Sequence, residues 1–152
     1  MATLTVVVGL PGSGKSHLLC QLRESCTGLT VEDYHKNARS DSSLVTASRH
    51  YADLVRALRE GRDCAIADVA FTDRRRRREV EKVFRRDVPG LSLDWVFFAN
   101  DLEACVANIR RRGHPEADLE ERVATTLSAT YVIPRGAAAL RIWRPEECSL
   151  DA

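Results

Sequence analysis

Lysine, methionine and aromatic residues are scarce in this chain of 152 residues. It holds one methionine, its aromatic fraction is 6%, and only Lys15, Lys36 and Lys82 among 23 basic residues are lysine; the rest are arginine. With so few aromatics, stacking platforms for a long polynucleotide are in short supply. No apolar run approaches the roughly 18–20 residues that a membrane-spanning helix needs, which excludes one and leaves no membrane partner expected. The first eight residues carry no basic region ahead of their apolar stretch and no small-residue cleavage site, so no secretory signal is expected. The five cysteines are odd in number and form no CxxC pair. They read as reduced packing thiols, with a cytoplasmic location expected. A net charge of +1 provides no global field toward nucleic acid. Repeats, low-complexity linkers and composition breaks are also missing, so one domain over residues 1–152 is expected.

A chain of this size buries roughly 68–70% of its unfolded surface, and hydrophobic and charged fractions of 44% and 30% suit an ordinary globular protein. Thr3 to Val8 is a β-branched apolar run of the kind found in buried parallel strands. Further strands are expected at Leu29–Val31, Cys64–Val69, Leu91–Ala99 and Ala139–Trp143. Between them fall helical patterns: Lys15–Ser25, a long helix from an Asp41 or Ser42 cap to Arg59, Asp73 to about Arg86, Asp101–Arg112 and Pro115 to about Ala129. Gly61 and Gly113 stand where left-handed stop residues belong. Strand and helix thus alternate throughout, which predicts an α/β fold with a five-stranded parallel sheet between two helical layers.

The most specific feature is Gly9-Leu10-Pro11-Gly12-Ser13-Gly14-Lys15-Ser16, which fits GxxxxGK[ST] without mismatch between an expected strand and an expected helix. Glycines let backbone amides converge on phosphate oxygens where side chains would block the approach. The helix start adds partial positive charge. Lys15 reaches the β- and γ-phosphates and the Ser16 hydroxyl ligates Mg²⁺ in such a loop. Gly9, Pro11, Gly12, Ser13, Gly14, Lys15, Ser16 and His17 are therefore the expected ATP contacts. Asp68, at the end of the third strand, suits a Mg²⁺ carboxylate, or else a cap for the next helix.

Taken with Val31-Glu32-Asp33-Tyr34 and Ile66-Ala67-Asp68, the loop resembles the small P-loop kinases of the polynucleotide kinase and zeta-toxin group, within the AAA-type P-loop NTPases. The likeness runs over roughly residues 3 to 134. It implies a three-layer P-loop fold, with ATP and Mg²⁺ as cofactors and a phosphoryl acceptor bearing a hydroxyl. That acceptor would be a nucleic-acid 5′ end, a nucleotide or a small molecule. By the same resemblance Glu32 or Asp33 is the general base, and His35 stands where the group has an acceptor-side arginine. A lid spans about residues 101–130. Asn108 and Arg111 match the lid helix, with Ala107 in place of an arginine and Arg111 the expected charge stabiliser. Tyr131-Val-Ile-Pro134 resembles the segment near the adenine.

Arg74 to Arg78 is the remaining oddity. Five consecutive helical residues sweep about 400°, so they cannot share one face. The resemblance assigns Arg75 or Arg76 to the acceptor side. Two other readings fit the residues: a nucleotide-dependent ATPase switch that needs no acceptor, and a domain that binds nucleotide without turnover.

Overall fold

A computed structural model describes residues 1–37 and 44–145 of the chain. The fold is built outward from β1 (Thr3–Val8), whose Val6, Val7 and Val8 have no solvent exposure. β3 (Cys64–Ala67) and β4 (Ser92–Phe98) flank it in parallel, with Val6 opposite Ile66 on one side and Trp95 on the other. β2 (Thr30–Val31) and β5 (Ala139–Leu140) close the edges, giving the order β2-β3-β1-β4-β5 with every pair parallel. Parallel neighbours cannot be joined by hairpins, so helices cross over and cover the faces. These are α1 (Lys15–Leu22), α2 (Tyr51–Arg59), α3 (Arg74–Asp87), α4 (Leu102–Arg112) and α5 (Ala117–Ser128). No described helix is long and apolar enough to cross a membrane.

The helix ends follow local chemistry. Asp73 caps α3 by accepting from Arg75 N at 2.8 Å, and Asp101 caps α4 by accepting from Ala104 N at 3.1 Å. Gly113 ends α4 at φ 60°. Two expectations need correction. The helix before Arg59 starts at Tyr51 and is preceded by a short 3₁₀ turn at Val45–Ala47. Its proposed caps Asp41 and Ser42 lie outside the described residues. Tertiary partners take the peptide groups of Val45 that a longer helix would use: its N–H donates to Glu79 at 3.0 Å and its carbonyl accepts from the Tyr34 hydroxyl at 2.9 Å. Ser48, at ψ 140°, then breaks helical geometry. The last strand is likewise shorter than Ala139–Trp143. After Leu140 the chain leaves the sheet, and Trp143 N donates to Ser13 O at 3.0 Å. Cys20, Cys26, Cys64 and Cys105 are free thiols.

Candidate nucleotide-binding site

The loop between β1 and α1 is shaped by its own residue types and held by two distant segments. Gly12 (φ 81°) and Gly14 (φ 110°) occupy left-handed conformations that side chains disfavour. Space forbids them as well: a Cβ on Gly12 would lie 2.4 Å from the Cys105 carbonyl oxygen, and one on Gly14 2.5 Å from Trp143 Cβ. The loop is therefore pressed between α4 and the segment after β5. Asn108, on α4, fastens both. Its Nδ2 donates to Gly12 O at 2.9 Å and to Trp143 O at 2.7 Å, while its Oδ1 accepts from Arg111 Nη1 at 3.1 Å.

Inside the loop, Lys15 Nζ donates to Gly9 O at 2.9 Å and Leu10 O at 2.8 Å. Burial pushes its pKa down to about 8, partly offset by the charges of Cys105, Asp68 and Asp33. The amides of Gly12, Gly14, Lys15 and Ser16 meet no acceptor among the described residues. The last two are orphan donors that any helix start leaves. Ser13 is fully buried, and its hydroxyl has no hydrogen-bond partner among the described residues. Pro11 is half-buried in the loop's turn and Ser16 is exposed on the first turn of α1. The His17 ring sits 4.8 Å from that of Trp143. Free amides around an ammonium are the donor set that a phosphate chain requires, and the residues present fit that group.

Across the strand ends, Asp68 is 4% exposed. One carboxylate oxygen accepts from Ala70 N at 2.7 Å, the other from His35 N at 2.5 Å, with His35 Nδ1 3.5 Å away. Burial raises its pKa, but the His35 and Ala70 hydrogen bonds and the His35 charge outweigh that and hold it below the ordinary carboxylate value. Asp68 is thus an ionised group on the loop side of β3 whose field reaches Lys15. It also caps the 3₁₀ turn that follows (Val69–Thr72), whereas the next helix, α3, is capped by Asp73 and not by Asp68.

Glu32 and Asp33 follow β2. Glu32 is half-buried; Asp33 is exposed at φ 48°, lies 3.7 Å from Lys36 and adds to the field at Lys15. Arg75 is exposed on the first turn of α3, and Arg76 bridges to Glu79 at 3.2 Å. Arg110 and Arg112 pair with Glu121 and Glu120 of α5, at 2.6 Å and 3.3 Å. Arg111 instead lines a cavity of about 310 Å³ with Ala104, Ala107, Asn108 and Arg144. Trp143 and Arg144 escaped sequence reasoning, because nothing local marks a residue that folds back onto a loop 130 positions earlier.

Residues 4–134 match a family model described as an AAA domain. The chain belongs to that family. Members of this AAA domain family are P-loop NTPases and include kinases; the match does not single out the polynucleotide kinase and zeta-toxin group. No curated protein matches the chain. The parallel five-stranded α/β sheet is that of a P-loop NTPase.

Proposed function

We propose that this AAA-domain protein is a Mg²⁺- and ATP-dependent phosphotransferase acting on an acceptor hydroxyl. One observation carries the reading: four unpartnered loop amides and the Lys15 ammonium sit together, with the ionised Asp68 carboxylate acting on that same lysine. Ser16 and Asp68 would hold the metal, and residues 9 to 17 the phosphate chain. Bound Mg²⁺·ATP supplies the phosphoryl group and offsets its charge.

The chain's own residues do the rest. The loop amides fix the phosphate chain so that the γ-phosphorus faces the acceptor in line. Lys15 follows the charge that develops toward the leaving oxygen. Glu32 or Asp33 takes the proton from the acceptor hydroxyl as its oxygen bonds to phosphorus and the bond to the ADP oxygen breaks. Arg111, beside the smaller cavity, would offset charge on the nucleotide. The main-chain N–H of His35 donates to Asp68 and orients that carboxylate, while its ring stands 3.5 Å away.

The same position also favours a second reading, an ATPase without an acceptor, because a half-buried histidine beside Asp68 stands where the kinase group has an acceptor-side arginine. Transfer from γ-labelled ATP separates them. With 5′-hydroxyl DNA and RNA, nucleosides and sugars offered in turn, acceptor-dependent labelling that vanishes in Lys15→Ala is the expected result. Phosphate release at one rate with or without every acceptor would make the protein a hydrolase.

A further inference from the structure

A second cavity among the described residues, larger at about 850 Å³, lies away from the loop and shares no lining residue with the smaller one. Its floor is β4. Successive strand residues face opposite sides, so Phe98 touches the loop at Gly9 while Phe97 and Trp95 turn to the other face. The Trp95 and Phe97 rings lie 6.2 Å apart at 18°; Phe97 is buried beneath Arg77, and Trp95 is the half-buried ring that faces the cavity. Val132, Ile133 and Pro134 form the opposite wall.

The arginine run of α3 acquires a meaning here. Arg74, Arg77, Arg78 and Glu81 are spaced i, i+3, i+4, i+7 and together line the cavity. Arg77 is the pin. It is 9% exposed, donates to Phe71 O, Thr72 O and Val132 O, and stands 5.5 Å over the Phe97 ring. It thereby sets the distance between the helix and the wall. Arg74 and Arg78 are exposed, as is Arg135 on the wall, and none of the three meets a carboxylate among the described residues. Glu81 is already bridged to Arg85 at 3.1 Å. Asp73 occupies the N-terminus of α3, so the exposed positive charge here belongs to side chains and not to the helix end. Placing arginines in the first helical turn opposes the dipole, a cost that a bound anion would relieve.

We infer that this cavity is a second ligand site, taking a nucleoside monophosphate with its base on Trp95 and its phosphate between Arg74, Arg78 and Arg135. The volume falls within the range of small-ligand sites, about 300–1,000 Å³, and the mixture of apolar walls with a few convergent polar groups is typical of them. A flat ring stacks on aromatic faces, and guanidinium forks match phosphate oxygens. The site uses none of the loop residues, but Val132, Ile133 and Pro134 of its wall lie in the segment that the resemblance places near the adenine, so Lys15→Ala is the control that separates it from the phosphate loop.

The test is equilibrium binding to the full chain. Trp143→Phe leaves Trp95 as the sole tryptophan, so its emission reports the cavity, and titration calorimetry on the unaltered chain gives the same comparison without that change. AMP, GMP, CMP and UMP are the probes, with adenosine, inorganic phosphate and a short single-stranded oligonucleotide beside them. Saturable binding of at least one monophosphate is expected, unchanged in Lys15→Ala and weakened at least tenfold by Arg78→Glu or Arg135→Glu. These two rim residues are exposed, and an unchanged melting temperature establishes that the variants fold. The proposal is overturned by no saturable monophosphate binding, by loss of binding in Lys15→Ala, by equal binding of adenosine or phosphate alone, or by binding of the oligonucleotide only.

Discussion

The loop and the larger cavity adjoin the same strand, at Phe98 and Phe97, yet they are made from different materials. The loop presents main-chain N–H groups, two of them on glycines in left-handed conformations. The cavity presents guanidinium groups and aromatic rings carried by a helix, a strand and a wall segment. Main-chain donors point where the backbone conformation sends them, so a short run of residue types suffices to build them. Side-chain sites exist only after separate elements have packed, and their charge is set by which carboxylates happen to be near. The contrast between the arginines makes the point. Those at the end of α4 are largely taken by α5, whereas Arg74, Arg78 and Arg135 are left facing a cavity.

The largest effect that would separate the two regions is Lys15→Ala. Turnover should fall by roughly 10²–10³ with the fold intact, since one preorganised donor to the transferring group is lost. Unchanged turnover, measured as phosphate transfer or release, would remove the loop from the chemistry. Next comes Gly12→Ala, compared with Gly61→Ala. Both positions sit at φ 81°, but a Cβ at Gly61 meets nothing within 4 Å. Gly61→Ala should cost about 1 kcal/mol in thermal or denaturant melts. Gly12→Ala should cost about 1–3 kcal/mol more and weaken nucleotide binding, because α4 or the loop must move. Equal losses would mean that α4 does not constrain the loop.

Asn108→Ala leaves the carbonyls of Gly12 and Trp143 without their donor and should cost about 1–3 kcal/mol, with weaker ATP binding and no change at the cavity. Proton uptake sharpens the description of Lys15. Its folded pKa of about 8 lies below the ordinary lysine value of 10.5, so the unfolded chain binds more protons between those values and stability from this group rises with pH across that window. A phosphate chain would draw the pKa back up. Metal-free ATP should therefore bind with uptake of up to one proton near pH 9 and little near pH 7, read by calorimetry in buffers of different ionisation enthalpy. The smallest effect is expected at the exposed Arg110–Glu121 pair, where Arg110→Ala should leave the melting temperature nearly unchanged.

The loop, the order of elements and Asp68 at a strand end were all legible in the sequence. Helix limits were legible where a cap was local, as at Asp73, Asp101 and Gly113. The start of α2 was not, because Glu79 and Tyr34 supply the competing hydrogen bonds from elsewhere in the chain. Nor could a helical wheel tell which arginines of Arg74–Arg78 turn inward. The spacing divides them into faces, but only the position of β4 makes one face a cavity and the other a bridge to Glu79.

Residue types alone decide the loop's shape, since two left-handed glycines, a following helix start and one lysine act over eight neighbouring positions. They also decide that the strands run parallel, because each is followed by enough helix to cross over. Packing decides what presses on that loop. Asn108 reaches Gly12 across 96 positions, and Trp143 covers Gly14 from the far end of the chain. Contacts at such separations leave no periodicity or spacing to read, because each depends on the placement of several whole elements at once.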